Sequence, residues 1–294
     1  MGRFASAEKQ AAVVMKSLQG RILKSVRTVS NYEQALTNVA RYVKAERLNS
    51  LQALSPLSAV SYLERRGQEV GQKTLDMERQ AIQSMMQHVT HQLDPKERLP
   101  VIQSEQETAL TSRSYTPEQI KLVASSQNER NALATKIAHQ AGIRAHELLT
   151  LQRLEKNPAD PRPATAHKFT GREGDNVAYS VHGKGGLTRE VRLPLALSQQ
   201  LETRATDPLK VTDRGVNYIQ HYDLSGGQKW SNSFSAASDR ALGWSRGAHG
   251  LRHSYAQERM NELQTTGLSQ LDALETVSQE LGHFRPEITK VYLR

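Results

Sequence analysis

Residues 94–115 (DPKERLPVIQSEQETALTSRSY) form a polar stretch with two prolines and scattered serines and threonines, and they divide the 294-residue chain. Such a composition reads as a linker between two domains, and a chain of this length suggests the same count. Upstream, the apolar residues keep the period of a helix. In NYEQALTNVARYVKAERL (31–48), Tyr32, Ala35, Leu36, Val39, Tyr42 and Val43 fall on one face. LSAVSYLERRGQEV (57–70) and QKTLDMERQAIQSMMQHVTHQL (72–93) follow, set apart by Gly67 and Gly71. Met85 and Met86 read as core filler, and His88 with His91 as structural. The expectation is a helical domain over 29–93, a linker over 94–115 and a second domain over 116–294.

The second half mixes periods. Thr116-Pro117-Glu118 carries a cap and a first-turn proline for a helix. In AGIRAHELLTL (141–151), Arg144 stands at the expected start of another helix, with Glu147 three residues on and Leu148 and Leu151 behind. A loop over 161–176 leads into VAYSVHGKGGLTREVRLP (177–194). There Val177, Tyr179 and Val181 alternate in one arm of a β-hairpin, and Val191 and Leu193 in the other. Its glycine-rich turn holds Lys184 between Gly183 and Gly185. Helices are expected to resume near 195, and LSGGQKW (224–230) reads as a glycine-rich loop whose Lys229 is a candidate backbone-phosphate contact. The fold class expected is mainly α with a small antiparallel β-sheet.

Charge narrows the partner. The chain holds 39 Lys+Arg against 30 Asp+Glu, a net charge of +9, which suits a polyanion bound in a salt-dependent way. Residues 1–28 concentrate Arg3, Lys9, Lys16, Arg21, Lys24 and Arg27 against Glu8 alone, and are expected to be either a basic arm tracking a DNA backbone or a solvated helix face or tail. Aromatic residues make up only 5%, which speaks against single-strand binding by base stacking. No apolar run approaches the roughly 18 residues of a membrane span, and no secretory signal opens the chain. With zero cysteines, disulfides and thiolate metal sites are excluded, and a reducing cytoplasm is the expected location.

The chemistry concentrates near the end, in HGLRHSYA (249–256) and LGHFRPEITKVYLR (281–294). His249 and Arg252 share a helix face, and His283 precedes Tyr292 by nine residues, across Pro286 and a short helix. A tyrosine hydroxyl attacks a phosphodiester only where cations and hydrogen-bond donors have neutralised the target. Taken singly, each residue has a plainer reading: Arg144 as a surface charge, Lys184 as an exposed turn residue, Tyr292 as a frayed-end aromatic. His249 and His253 stand four apart, as zinc ligands on a helix do, but no glutamate follows His249 and cysteine is absent. That leaves His253 structural, and no metal or other cofactor is expected.

In order, the set is arginine, lysine, His-x-x-Arg, histidine, tyrosine, and over roughly 116–294 it resembles the tyrosine recombinases, the phage-integrase superfamily. GIRAHELLTL resembles the family's first arginine box, GKGG with TREVRLP its lysine hairpin, HGLRHSYA its central box, and LGHFRPEITKVY, with Thr289, its closing box. The resemblance implies a two-domain DNA clamp, with 29–93 as a helical core-binding domain. It implies Tyr292 as nucleophile, forming a 3′-phosphotyrosyl bond, and Arg144 and Arg252 as clamps on the phosphate. Lys184 would be the general acid, His249 and His283 phosphate or proton-handling groups, and Glu147 a support for an arginine or histidine. Further implications are double-stranded recombination sites as substrate, monomers in solution, a homotetramer on two duplexes, accessory DNA-bending proteins, and a nucleoid-associated bacterial setting serving a mobile element. Only Leu293 and Arg294 follow Tyr292, whereas many members of the family carry a further segment that docks on a neighbouring protomer. Either the chain is truncated, or another element couples the protomers. A type IB topoisomerase-like or resolvase enzyme, and a catalytically silent DNA-binding protein, are the alternative functions.

Overall fold

The computed structural model describes residues 5–107, 111–183 and 185–294, so Arg3 and Lys184 lie outside the described residues. Two compact units emerge, Met1–Ala109 and Leu110–Arg294.

The first unit is helical. Helix α1 (Ala7–Leu18) starts at Ser6, whose hydroxyl accepts the Lys9 N–H. Ala7, Ala11, Val14 and Leu18, spaced by threes and fours, are buried where α1 packs on α2 (Val26–Ala45). The basic stretch is therefore a core helix over 7–18, while Lys9, Lys16, Arg21, Lys24 and Arg27 stay exposed. The short AAVVM patch that interrupts the charges is what buries it. Helices α3 (Pro56–Gly67) and α4 (Gln72–Met85) complete the bundle, and Met85 and Met86 are fully buried core residues. A single π turn (Met86–Thr90) ends at His91 in the left-handed conformation, with His88 and His91 exposed.

The first part of the linker, up to 107, is strapped to this unit rather than free. Leu99 is buried, Gln72 donates to the Ile102 carbonyl at 3.0 Å and accepts the Ser104 N–H at 2.8 Å, and the Glu105 N–H donates to the Gly67 carbonyl at 2.9 Å. Its last residue, Tyr115, belongs to the core of the second unit, stacked on Trp244 with ring centroids 5.2 Å apart. Polar side chains that would solvate a linker serve here as hydrogen-bond partners for its own backbone.

The second unit opens with α5 (Pro117–Ser125), begun by a capping box between Thr116 and Gln119. Helix α6 (Glu129–Ala141) is capped by Asn128 and stops at Gly142, φ +58°. The helix expected after Arg144 does not form. One 3₁₀ turn (Glu147–Leu149) gives way to strand β1 (Gln152–Arg153), which pairs with β2 (Asn176–His182) and so draws the chain out. Leu148 and Leu151 are nevertheless buried. Strands β2 and β3 (Thr188–Pro194) form the expected antiparallel hairpin, with Tyr179 opposite Val191 and Val181 opposite Arg189, in a sheet of order β1-β2-β3. After α7 (Leu195–Glu202) comes a second hairpin, β4 (Ala205–Asp213) with β5 (Val216–Tyr222), where helix was expected. It turns at Arg214 and Gly215, both with positive φ. Most of β4 is exposed on both faces, so no alternation marks it.

Helix α8 (Gly227–Leu242) then takes in residues 227–230 of the glycine-rich 224–230 stretch. Gly227 has φ +63°, and a Cβ there would come within 2.6 Å of the Asp213 carboxyl carbon, whose Oδ1 accepts the Gln228 N–H. Lys229 is thus an exposed first-turn residue rather than part of a loop. Helices α9 (Gly250–Thr265), α10 (Gln270–Glu280) and α11 (Pro286–Thr289), with a closing 3₁₀ turn (Lys290–Leu293), carry the C-terminal motifs. Among the described residues, no helix is long and apolar enough to cross a membrane.

Candidate active site

Five sequence-predicted residues come together in the second unit: Arg144, Arg252, His249, His283 and Tyr292. Glu147 lies at their base, with no exposure to solvent. Its Oε2 accepts the Arg144 N–H at 2.7 Å, and its Oε1 accepts Arg144 Nη1 at 2.8 Å. The same carboxylate accepts Arg189 Nη2 at 2.8 Å. Burial alone would raise its pKa, but Arg189, Arg252 and Arg144 outweigh that and hold the carboxyl well below the usual range. Glu147 is therefore a fixed buried anion.

Arg189 is the functional candidate that sequence reasoning missed. It is 4% exposed and spans from Glu147 to the Glu280 carbonyl, donating to the latter from Nη1 at 2.8 Å. The signal was available: Arg189, Val191 and Leu193 alternate along β3, so the arginine occupies an inward position of the hairpin. A charged residue on a buried face needs a partner, and Glu147 supplies it.

Arg252, in the first turn of α9, is fully buried. It donates to the carbonyls of Gly142 and Leu281, and Nη2 lies 3.1 Å from His283 Nε2. Arg189 and Arg252 thus both cap carbonyls at the C-terminal end of α10, where the helix dipole is negative. Gly142 is required at its point: a Cβ there would sit 2.5 Å from the Tyr255 ring. Burial and the neighbouring Arg144 and Arg189 press the Arg252 guanidinium down to about 9, which leaves it charged at neutral pH.

Guanidinium has no acceptor, so the Arg252 contact requires His283 Nε2 to be unprotonated. The imidazole is then the Nδ1–H tautomer, donating to Thr289 Oγ1 at 3.0 Å. This assignment comes from hydrogen-bond chemistry. It fits the direction of titration, since burial and the adjacent Arg252, Arg144 and Arg189 hold His283 down to about 3. His249, at the N-cap of α9, is lowered to about 4 by desolvation and then by Arg252, His253 and Arg144, although the residue as a whole is exposed. Both histidines are neutral at physiological pH.

Tyr292 is 8% exposed, on the closing 3₁₀ turn. Its Oη lies 3.2 Å from His249 Nε2. The rings of His253, His283 and His249 surround the phenol at centroid distances of 4.6, 5.1 and 5.4 Å, with Arg252 Cζ 5.6 Å from its centroid. Phenol, neutral imidazole and guanidinium are thus gathered at one place, an arrangement that can set a nucleophile beside a base and a cation. Lys184 lies outside the described residues. The turn that bears it is closed by the Gly183 N–H donating to the Leu187 carbonyl at 2.7 Å, and a Cβ on Gly183 would lie 3.2 Å from Glu147 Oε1. Exposed Lys229 is not part of the cluster, and Lys9, Lys16, Arg21, Lys24 and Arg27 belong to the first unit. Among the described residues, no group of three or more His, Asp or Glu is placed to hold a metal ion.

A second network lies beneath. Glu280 accepts Arg259 Nε at 3.0 Å and the Tyr255 hydroxyl at 2.8 Å on Oε2, and the Phe169 N–H at 2.9 Å on Oε1. It fixes α9 against α10, and nothing in the sequence pattern marks it.

No protein-family model matches the sequence, and no curated protein matches it. Solved structures do resemble it. XerH site-specific recombinase bound to difH substrate is 16% identical, with a TM-score of 0.58 over 98% of this chain and 91% of that one. The Tn1549 transposon integrase, in complex with a circular intermediate DNA, is 14% identical, with a TM-score of 0.53 over 98% and 95%. A lambda integrase tetramer bound to a Holliday junction is 14% identical, with a TM-score of 0.59 over 98% and 77%. The boxes of residues 141–294 had implied this architecture, and the chain has the tyrosine-recombinase fold.

Proposed function

We propose that the chain is a site-specific recombinase that breaks and rejoins DNA through Tyr292, in the service of a mobile genetic element. The observation that carries this reading is Tyr292 Oη at 3.2 Å from His249 Nε2, beside a cluster in which three arginines face one carboxylate. The excess positive charge needs an anion, and a phosphodiester supplies one whose charge grows in the transition state. Tyr292 passes its proton to His249 Nε2 as Oη bonds phosphorus. The bond from phosphorus to the 5′ oxygen breaks, and that oxygen takes a proton from Lys184, the general acid the family resemblance assigns. The products are a 3′-phosphotyrosyl linkage and a 5′-hydroxyl, and rejoining is the reverse. Because the linkage keeps the energy of the broken bond, no nucleotide cofactor is needed.

Arg144 and Arg252 would clamp the non-bridging oxygens, and Arg189 with Glu147 would hold them in place. A phosphate oxygen arriving beside His283 would raise that imidazole's affinity for a proton and turn it into a donor. The partners proposed are recombination-site duplexes, with four protomers on two of them during exchange. The domain roles proposed are DNA contact by the helical unit and catalysis by the second. The test is to incubate the protein with nicked duplexes from the element's junctions, denature in detergent, and map any covalent adduct by mass spectrometry. An adduct on Tyr292, absent from Tyr292→Phe, is expected. Specific binding with no adduct would sink the reading, and relaxation of plasmids lacking any such site would favour a topoisomerase instead.

A further inference from the structure

Tyr292 lies along α9 over two helical turns, and three residues at intervals of four meet it in sequence. His249 meets the hydroxyl, His253 meets the ring, and Gln257 meets the main chain. Gln257 Nε2 donates to the Tyr292 carbonyl at 3.1 Å and to the Arg294 carbonyl at 2.8 Å. His253 is 3% exposed, with its ring tilted 40° to the phenol at 4.6 Å. Positions i, i+4 and i+8 share one helix face, and eight residues cover about 12 Å of axis. That is enough to reach a tyrosine from hydroxyl to carbonyl.

We infer that His253 and Gln257 are positioning residues that clamp the nucleophile's turn from below and so set the height at which Oη meets His249. This rests on the recombinase reading above. A short 3₁₀ turn has poor hydrogen-bond geometry of its own, so its position depends on the side chains that hold it. Among the described residues, Gln257 is the one side chain that donates hydrogen bonds to carbonyls of 290–294. It donates two N–H groups to two carbonyls, so what the site requires at 257 is a donor, not bulk or polarity. A displacement of about 1 Å in a reacting group costs on the order of a hundredfold in rate, so this clamp would act on the rate of attack while leaving DNA affinity alone.

The donor requirement gives the test its shape. Full-length Gln257→Ala, Gln257→Glu and Gln257→Lys proteins are compared with the wild type. The first lacks a donor, the second replaces it with an acceptor, and the third restores a donor on a stem long enough to reach. His253→Phe keeps an aromatic ring against the phenol and removes the imidazole nitrogens. Two measurements are made: hydrogen–deuterium exchange of peptide 286–294 without DNA, and the rate of covalent adduct formation on a nicked duplex selected from a random pool by binding to the wild type. Expected are faster exchange and adduct formation slowed by about tenfold or more for Gln257→Ala and Gln257→Glu. Gln257→Lys should stay within about threefold of wild type, and His253→Phe should fall between. Unchanged DNA affinity and melting temperature would separate this pattern from a folding defect. Wild-type exchange in Gln257→Ala, or a wild-type adduct rate, would overturn the clamp. If the wild type itself yields no adduct, the recombinase reading falls, and exchange then decides the clamp: faster exchange supports it and unchanged exchange overturns it.

Discussion

Replacing Glu147 by glutamine tests the electrostatic foundation of the site. The carboxylate has no exposure, accepts three N–H groups, and stands between Arg144, Arg189 and Arg252, of which the last two are buried as well. Glutamine fills the same space but keeps one acceptor oxygen, and its NH₂ must face a guanidinium that offers only donors. Removing one partner of a buried ion pair costs about 3–5 kcal/mol, because the remaining charge is left uncompensated. The carbonyls of Gly142, Leu281 and Glu280 continue to hold Arg252 and Arg189, which favours the lower half of that range. Set against a typical total of about 5–15 kcal/mol, the loss is large, and at about 2–4 °C per kcal/mol it lowers the melting temperature by roughly 10 °C. Both tryptophans, Trp230 and Trp244, lie in the second unit, so urea unfolding followed by their fluorescence reports on that unit selectively. The variant also gains an unneutralised cation cluster. Sulfate should therefore raise its unfolding midpoint by more than it raises the wild type's, beyond any general salting effect. A loss below about 1 kcal/mol, or equal gains from sulfate in both proteins, would refute the account of Glu147 as the compensating anion.

Other perturbations follow from the same geometry. Gly142→Ala must adopt φ +58° with its methyl 2.5 Å from the Tyr255 ring, and should lose about 2–4 kcal/mol in the same fluorescence assay. His249, His253 and His283 are held down to about 4, 4 and 3, each chiefly by burial. The unfolded chain, titrating near 6.5, then binds more protons than the native one at lower pH. Stability should hold above about pH 6.5 and fall as pH drops toward 4, and a flat melting temperature across that window would contradict the burial described. Tyr292→Phe removes one hydroxyl bonded to His249 and should melt within a few degrees of wild type while forming no adduct. An adduct in that variant would move the nucleophile elsewhere.

What could be read in advance tracks what is local. The β2–β3 hairpin announced itself through alternation, and the mainly helical fold with a small antiparallel sheet through periodicity. Cluster members were legible as ordered boxes, since each box is one contiguous turn or helix end. Arg189 was hidden although its alternation was visible, because its meaning depends on Glu147, 42 residues away. The β4–β5 hairpin escaped because an exposed two-stranded ribbon buries neither face of its first strand and so writes no pattern. Helix α1 looked like an arm because charge counts ignore which face the charges occupy. Glu280, Arg259 and Tyr255 form a network of tertiary contacts that no single-segment signal encodes.

Two arginines of the site are tethered to peptide carbonyls: Arg252 to Gly142 and Leu281, Arg189 to Glu280. No point mutation deletes a main-chain acceptor. A lineage could exchange nearly every surrounding side chain, provided the backbone path and a few glycines persisted, without releasing either guanidinium. Mutational tolerance of this kind gives a physical reason why the cluster in this chain could outlast wide change in the side chains around it.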